Sequence, residues 1–246
     1  DPEVLERLSG HPVLARVREF RALGRPIDAR REWYAWVRDL DDRGLEAAAV
    51  LAHDRGWHFN TILTLGRRQA WDDIRRRFPL AYRDPVLSEA RHNRLDPAWV
   101  YAVVRQESAF EPTARSPAGA LGLMQILPDT ARMMARRLQD RIRPRRDLLE
   151  ARTNLRLGSA YLRTLLADLG DNPVLATAAY NAGPQRVRRW LPEDGPREAA
   201  LWIEEVPFAE TRGYLKKVFF YTAIYQHRLG ETPTRLEQRL QPVDGG

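Results

Sequence analysis

Proline placement constrains this chain more than any other feature. Pro2, Pro12, Pro97, Pro128, Pro173 and Pro184 each stand at the head of a run whose apolar residues recur at helical spacing. The fixed φ and missing N–H of proline suit the first position of a helix. Residues 1–92 sustain no strand-like alternation, so the spacing predicts short helices joined by tight turns. One runs from Pro2 to near Gly10. A second starts at Pro12 with Val13, Leu14, Val17 and Phe20 on one face. A third is capped by Asp28 and carries Trp33, Trp36, Val37 and Leu40. Further pieces cover Leu45 to Ala52, Asn60 to Leu65 and Gln69 to Arg76. Tryptophans at such spacing are read as core, because aromatic side chains dominate buried area. The predicted fold class is all-α, with helical hairpins over 1–92 and a second domain over 93–246.

In that second part Asp96 is a good N-cap ahead of Pro97. The helix carries Val100, Val103 and Val104 toward the core and ends between Glu107 and Phe110. Residues 117–127 are too glycine-rich for a helix and read as a small irregular hairpin. A helix follows from Pro128 through Leu138. Thr153 or Asn154 caps the next, with Leu157, Tyr161, Leu165 and Leu169, and Gly170 ends it. Pro173 opens a helix running through Ala179, Tyr180 and Asn181 to Gly183, and Pro184 opens a short basic one. The last long helix spans Glu210 to Leu229 with Tyr214, Val218, Tyr221 and Tyr225 at helical spacing. The tail after Gly230, through Gly246, is expected to fray.

Composition narrows the chemistry. No apolar run approaches membrane-spanning length. Cysteine is absent, which excludes disulfides and thiol catalysis and removes the soft ligands of a structural zinc site. No metal or phosphate motif appears, and no cofactor is expected. The formal charge is +7. Residues 1–92 hold 17 Arg and 15 acids, a balance of +2; residues 93–246 hold 23 basic residues and 18 acids, a balance of +5. Such an excess suits an anionic polymer, although only two of the 40 basic residues are Lys, which equally fits a generally Arg-rich composition. The cluster Arg136, Arg137, Arg141, Arg143, Arg145 and Arg146 reads first as a solvated face and second as a contact for carboxylates. Nucleic-acid binding needs a continuous basic face, and acids are interleaved throughout, so no nucleic acid is expected as partner.

Glu107 is the candidate catalytic residue. It ends an apolar helical run, where the negative end of the helix dipole opposes a second negative charge. Apolar neighbours oppose ionisation further. Both push its pKa upward, toward what a general acid needs near neutral pH. A second carboxylate, usual in glycosidases, is not obvious. Glu111 lies one turn on but adjoins the helix-breaking Pro112. Asp129 sits in a helix first turn, where the dipole keeps it ionised.

Glu107-Ser108, then Gly122-Leu123-Met124-Gln125, then Ala179-Tyr180-Asn181, followed by Pro-Phe-Ala-Glu210-Thr-Arg-Gly-Tyr214, resemble in order and interval the signature motifs of soluble lytic transglycosylases. The likeness extends more loosely upstream through Arg77 to Tyr82 and on to about Arg31. It implies a lysozyme-like, mostly helical catalytic domain with a minimal β-hairpin over 93–246, preceded by a superhelical linker region over 1–92. It implies cleavage of the β-1,4 bond between N-acetylmuramic acid and N-acetylglucosamine in peptidoglycan, with 1,6-anhydromuramic ends. In that reading Glu107 alone is the acid and then the base. Ser108 fixes the turn, and Ser116 contacts substrate or acts as a capping hydroxyl. Gly122, Leu123, Met124 and Gln125 line the cleft, with Leu127 on its apolar floor. Tyr180, beside Ala179, orients Glu107 or the sugar, and Asn181 holds the turn or binds an N-acetyl group. Glu210 is a substrate or structural contact and not a nucleophile, and Tyr214 contacts substrate. The resemblance further implies peptidoglycan strands as partner, a periplasmic setting and a monomer. Because the chain opens on Asp1-Pro2, it reads as a processed protein or the C-terminal portion of a longer one. Two alternatives remain: a hydrolase of the goose-lysozyme type on the same fold, and a non-catalytic helical module binding glycan or nucleic acid.

Overall fold

The structure is a computed structural model that describes residues 1–245. The chain divides into two compact units. One comprises Asp1–Ala81 with Ala109–Thr113; the other comprises Tyr82–Ser108 with the chain from Ala114 onward. The expected boundary at residue 92 falls inside the second unit, at the end of a helix.

The first unit holds α1 (Pro2–Ser9), α2 (Pro12–Ala22), α3 (Pro26–Val37), α4 (Asp42–Asp54), α5 (His58–Arg68) and α6 (Ile74–Arg77). Asp1, Asp41 and Asp73 cap α1, α4 and α6 by accepting backbone N–H groups. Asp28 does not cap: Pro26 starts the helix two residues earlier, and Asp28 lies in its first turn. The expected helix over Gln69 to Arg76 shrinks to α6, because Gln69 takes the left-handed conformation that stops α5. Trp33 and Trp57 are buried with ring centroids 6.0 Å apart, edge to face, and Trp36 packs 5.2 Å from Trp33. The buried Trp33 indole N–H donates to the Thr64 hydroxyl at 3.0 Å. That leaves this buried ring with its polar atom satisfied.

The second unit holds α7 (Arg83–His92), α8 (Pro97–Ser108), α9 (Pro128–Arg137), α10 (Pro144–Asp147), α11 (Ala151–Asp168), α12 (Pro173–Ala182), α13 (Pro184–Arg188), α14 (Ala199–Glu205), α15 (Ala209–Leu229) and α16 (Leu236–Arg239). α8 is its axis. Residues 98–104 are buried without a break, so α8 is enclosed on all sides rather than on one stripe. α7 and α15 pack against it, and α11 packs against α7, α9 and α12. Pairing between strands is minimal. Leu121 makes single antiparallel bridges to Arg115 and to Ile126, and Leu121 and Ile126 exchange both backbone hydrogen bonds at 3.0 Å. α11 is capped by Glu150, not by Thr153 or Asn154, because the helix starts a turn earlier than the apolar spacing suggests. Most of the stretch after Gly230 is exposed, as a loose tail would be, but it is pinned near its end. Val243 is fully buried, pairs with Arg197 through two 2.8 Å backbone bonds, and lies beside Pro242, whose carbonyl accepts from the Asn172 amide. Gly246 lies outside the described residues.

Candidate active site

Glu107 stands in the last turn of α8, one residue before its end. α15 brings Tyr214 to it: the buried phenol O–H donates to Glu107 Oε1 at 2.6 Å. Burial is the largest influence on Glu107 and pushes its pKa up. The Tyr214 hydrogen bond opposes this by favouring the carboxylate, and the nearby Glu210 charge adds to the rise. The result is about 7, which leaves the carboxyl group able both to give and to take a proton near neutrality. Tyr214 itself, buried against the acid, is pushed well above the usual phenol range by burial first and by Glu107 second. It therefore stays a donor.

The turn between the paired Leu121 and Ile126 is built around Met124. Its N–H donates to the Asn154 side-chain oxygen at 2.7 Å, and its carbonyl accepts from the Tyr180 hydroxyl at 2.8 Å. Asn154, fully buried in the first turn of α11, also donates through Nδ2 to the carbonyls of Leu121 and Leu148, both at 2.8 Å. Gly122 has φ +77°, and a Cβ there would collide with the Leu148 carbonyl oxygen and the Asn154 amide. Across the same interface a Cβ on Gly158 would collide with Met124 Sδ. Backbone and side chain of α11 are thus moulded to this loop.

The sequence candidates fall into two groups. Glu107, Tyr180, Asn181, Glu210 and Tyr214 are connected by hydrogen bonds or electrostatic interaction. Asn181 donates to Glu210 at 3.3 Å and accepts from the Thr211 hydroxyl at 2.7 Å, and the Glu107 charge acts on Tyr180. Asn181, Glu210 and Thr211 line an open cavity of about 410 Å³ with Arg186 and Phe208. Several candidates, Tyr180 among them, are placed differently from expectation, whereas Ser108 and Ser116 take the structural roles already allowed for them. Leu123, Met124 and Ala179 have no exposed side-chain surface, and Gly122 is buried, so they support the site from behind instead of lining a cleft. Tyr180 donates to the Met124 carbonyl, not to Glu107; it is Tyr214 that holds the acid. Gln125, with φ +48°, spends its amide nitrogen on the carbonyls of Gly122 and Ala114. Ser116 accepts from the Ala120 N–H at 3.0 Å, as a capping hydroxyl does, and Ser108 donates back to the Val104 carbonyl within α8. Leu127 is the exposed apolar residue of the segment, at 44%. Sequence reading missed Asn154 and Gly158. A buried asparagine with two of its three partners thirty or more residues away leaves no local signal.

Other carboxylates are committed elsewhere. Glu111 belongs to the first unit, is 2% exposed, and accepts from the Arg21 guanidinium at 3.1 Å and from the Thr113 hydroxyl at 2.7 Å. Asp129 is exposed and paired with Arg132. Among the described residues no cluster of His, Cys, Asp or Glu has the geometry to hold a metal ion. No helix among them is long and apolar enough to cross a membrane.

The Transglycosylase SLT domain matches residues 84–203, the Soluble lytic murein transglycosylase L domain residues 7–74, and the Soluble lytic transglycosylase helical domain residues 205–234. The soluble lytic murein transglycosylase of Salmonella typhimurium is 38% identical over 226 residues, which is 91% of this chain and 35% of that protein. The X-ray structure of an inactive mutant of the lytic transglycosylase Slt from Pseudomonas aeruginosa superposes with a TM-score of 0.89 at 41% identity, covering 98% of this chain and 40% of that one. The 70 kDa soluble lytic transglycosylase of Escherichia coli gives 0.86 at 36% identity, covering 93% of this chain and 37% of that one. The chain therefore spans little more than a third of the length of these relatives. With three domain matches that together run from residue 7 to 234 and both structures aligned over nearly its whole length, the chain belongs to the soluble lytic transglycosylase family.

Proposed function

We propose that this chain is the part of a peptidoglycan lytic transglycosylase that carries the catalytic site, cutting the β-1,4 bond between N-acetylmuramic acid and N-acetylglucosamine. The observation that carries this reading is Glu107: a carboxyl group with a pKa of about 7, steadied by Tyr214, in a chain of this family. Glu107 gives its proton to the glycosidic oxygen as the bond from the anomeric carbon to that oxygen breaks. The positive charge at the anomeric carbon is met by the sugar's own N-acetyl oxygen. The muramic acid primary hydroxyl then attacks the anomeric carbon and returns its proton to Glu107. No water is consumed, and the acid is restored. Intramolecular attack draws on effective concentration rather than on an activated water, in keeping with the commitment of Glu111 and Asp129 elsewhere.

Substrate contacts fall, in this reading, to Ser116, Gln125, Leu127, Asn181 and Glu210, which retain solvent exposure. Gly122, Leu123, Met124 and Ala179 shape the backbone behind them. The domain over 93–246 does the chemistry and the helical region over 1–92 serves as linker. The setting is the periplasm, the working form a monomer, and nucleic acid is not a partner. The test is release of soluble muropeptides from purified sacculi. The wild-type chain should release them, and Glu107→Gln should not. Equal release by both would remove Glu107 from the reaction.

A further inference from the structure

α15 works on more than one side. One brings Tyr214 to Glu107. Another, through Lys216, Phe219, Phe220 and Ala223 at helical spacing, lines a cavity of about 320 Å³ together with α14 and the segment around α16. Ile203, Phe219, Phe220, Ala223, Leu236 and Leu240 make its wall mostly apolar. Ile203 and Phe219 are buried, while Phe220 and Leu236 are 63% and 55% exposed. Two large apolar side chains exposed at one cavity mark a place for a ligand more than scattered ones do.

Few polar groups join this wall. Glu204 and Lys216 are half exposed and pair with each other at 2.6 Å. The Thr234 hydroxyl accepts from the Gln226 amide at 3.3 Å and keeps its own proton to donate. Arg239 is different. Its side chain is 11% exposed, and its Nη1 makes a long 3.4 Å contact to Asp96. Its Nε and Nη2 are buried and have no acceptor among the described residues. Those two atoms form one edge of the guanidinium, whose fork geometry takes a carboxylate bidentately. Buried donors without acceptors cost stability, and these belong to a residue in the wall of a cavity large enough for a small ligand.

We propose that this cavity is a binding site for an aliphatic monocarboxylate of the medium-chain fatty acid class, with the carboxylate on the Nε and Nη2 edge of Arg239 and the alkyl tail against Phe219, Phe220 and Leu236. The chemistry of the wall selects this class. One guanidinium shared with Asp96 suits a single negative charge and not a phosphate dianion, and the pair of Glu204 with Lys216 adds no net charge. A peptide would bring backbone N–H and C=O groups to a wall whose polar partners, beyond that self-paired couple, are Thr234 and Arg239, and unpaired amides are costly in such surroundings. An alkyl tail brings none. No lining residue belongs to the group around Glu107, so this site stands or falls apart from the proposed function.

Isothermal titration calorimetry on the full chain, with decanoate as probe, tests it. Decanoate should bind saturably at one site. Octanoate should bind roughly tenfold more weakly, for two methylenes lost, and 1-decanol at least about tenfold more weakly, for the missing charge. Arg239→Met should weaken decanoate by about tenfold or more and leave 1-decanol within about twofold. Because it removes donors that lack acceptors, it should not lower the unfolding midpoint of the ligand-free chain. Ala223→Phe fills the cavity from α15 and should abolish binding of both probes; it carries the test should Arg239→Met fail to fold. Absence of saturable decanoate binding overturns the proposal, as does binding that a folded Arg239→Met or Ala223→Phe protein leaves intact, or 1-decanol bound as tightly as decanoate. Tighter binding of acetyl-Leu-Ala-Phe with a free C-terminus than of decanoate would give the cavity to a protein C-terminus and overturn it as well.

Discussion

Glu107 weakens the second unit near neutral pH. Its folded pKa of about 7 lies above the ordinary 4.5, so the unfolded chain releases the proton first. Stability is full below about pH 4.5 and is lost as pH rises toward 7. Glu107→Gln removes that loss. It should be more stable than the wild type by on the order of 2 kcal/mol at pH 8 and no more stable at pH 4, as read by chemical denaturation. Turnover should fall by about 10²–10⁴-fold or more, since in the proposed reaction one group serves as both acid and base. Tyr214→Phe acts the other way on the same atom. Losing the 2.6 Å hydrogen bond removes support for the carboxylate, so the basic limb of the pH–rate profile should move up by about one unit. A limb that stays in place would mean that Tyr214 only packs. The upward pull on Glu107 was legible in the apolar run ahead of it. The partner of its Oε1 was not, because Tyr214 sits 107 residues further on and helical spacing marks it only as a core ring.

Among the elements, the join between α11 and the Met124 loop is where a small change should cost most. Gly122→Ala requires a left-handed alanine and drives a methyl group into the Leu148 carbonyl and the Asn154 amide. Left-handed strain costs about 1–2 kcal/mol, and overpacking typically adds about 1–3 kcal/mol. Gly119 is the control, with φ +85° and nothing within 4 Å of where a Cβ would stand; Gly119→Ala should cost the backbone strain alone. Urea denaturation giving equal losses for the two would show that the join is loose. Helices were readable because proline and aspartate announce their starts. The exceptions have physical causes. Asn154 looks like a cap, but α11 begins a turn earlier on Glu150, which leaves the asparagine free to bond across to another segment. Val243 looks like part of a loose end, but a single bridge to Arg197 and complete burial hold it, and neither leaves a periodic trace.

Taken whole, the molecule places two oppositely tuned groups in its two units. His58, in the first, has its pKa lowered to about 4, chiefly by burial, then by His53 and Arg21. The unfolded chain takes up that proton first, so stability present above about pH 6.5 is lost as pH falls toward 4. Glu107 loses stability in the opposite direction over an overlapping range. His58→Phe should therefore flatten the acid-side loss in the first unit, by on the order of 1–2 kcal/mol after allowing for its partial exposure. An acid-side loss unchanged by that variant would assign it to other groups. Arg21, which contributes to the His58 shift, also holds the buried Glu111, so Glu111→Gln should disturb stability and leave turnover within about twofold, as a group outside the chemistry does. The central claim is that Glu107 works without a water-activating partner. Mass analysis of the products from purified peptidoglycan tests it most directly. Products ending in 1,6-anhydromuramic acid, each one water lighter than the hydrolysis product, are what this account predicts. Reducing-end muramic acid as the main product would contradict it and give Glu210 the water.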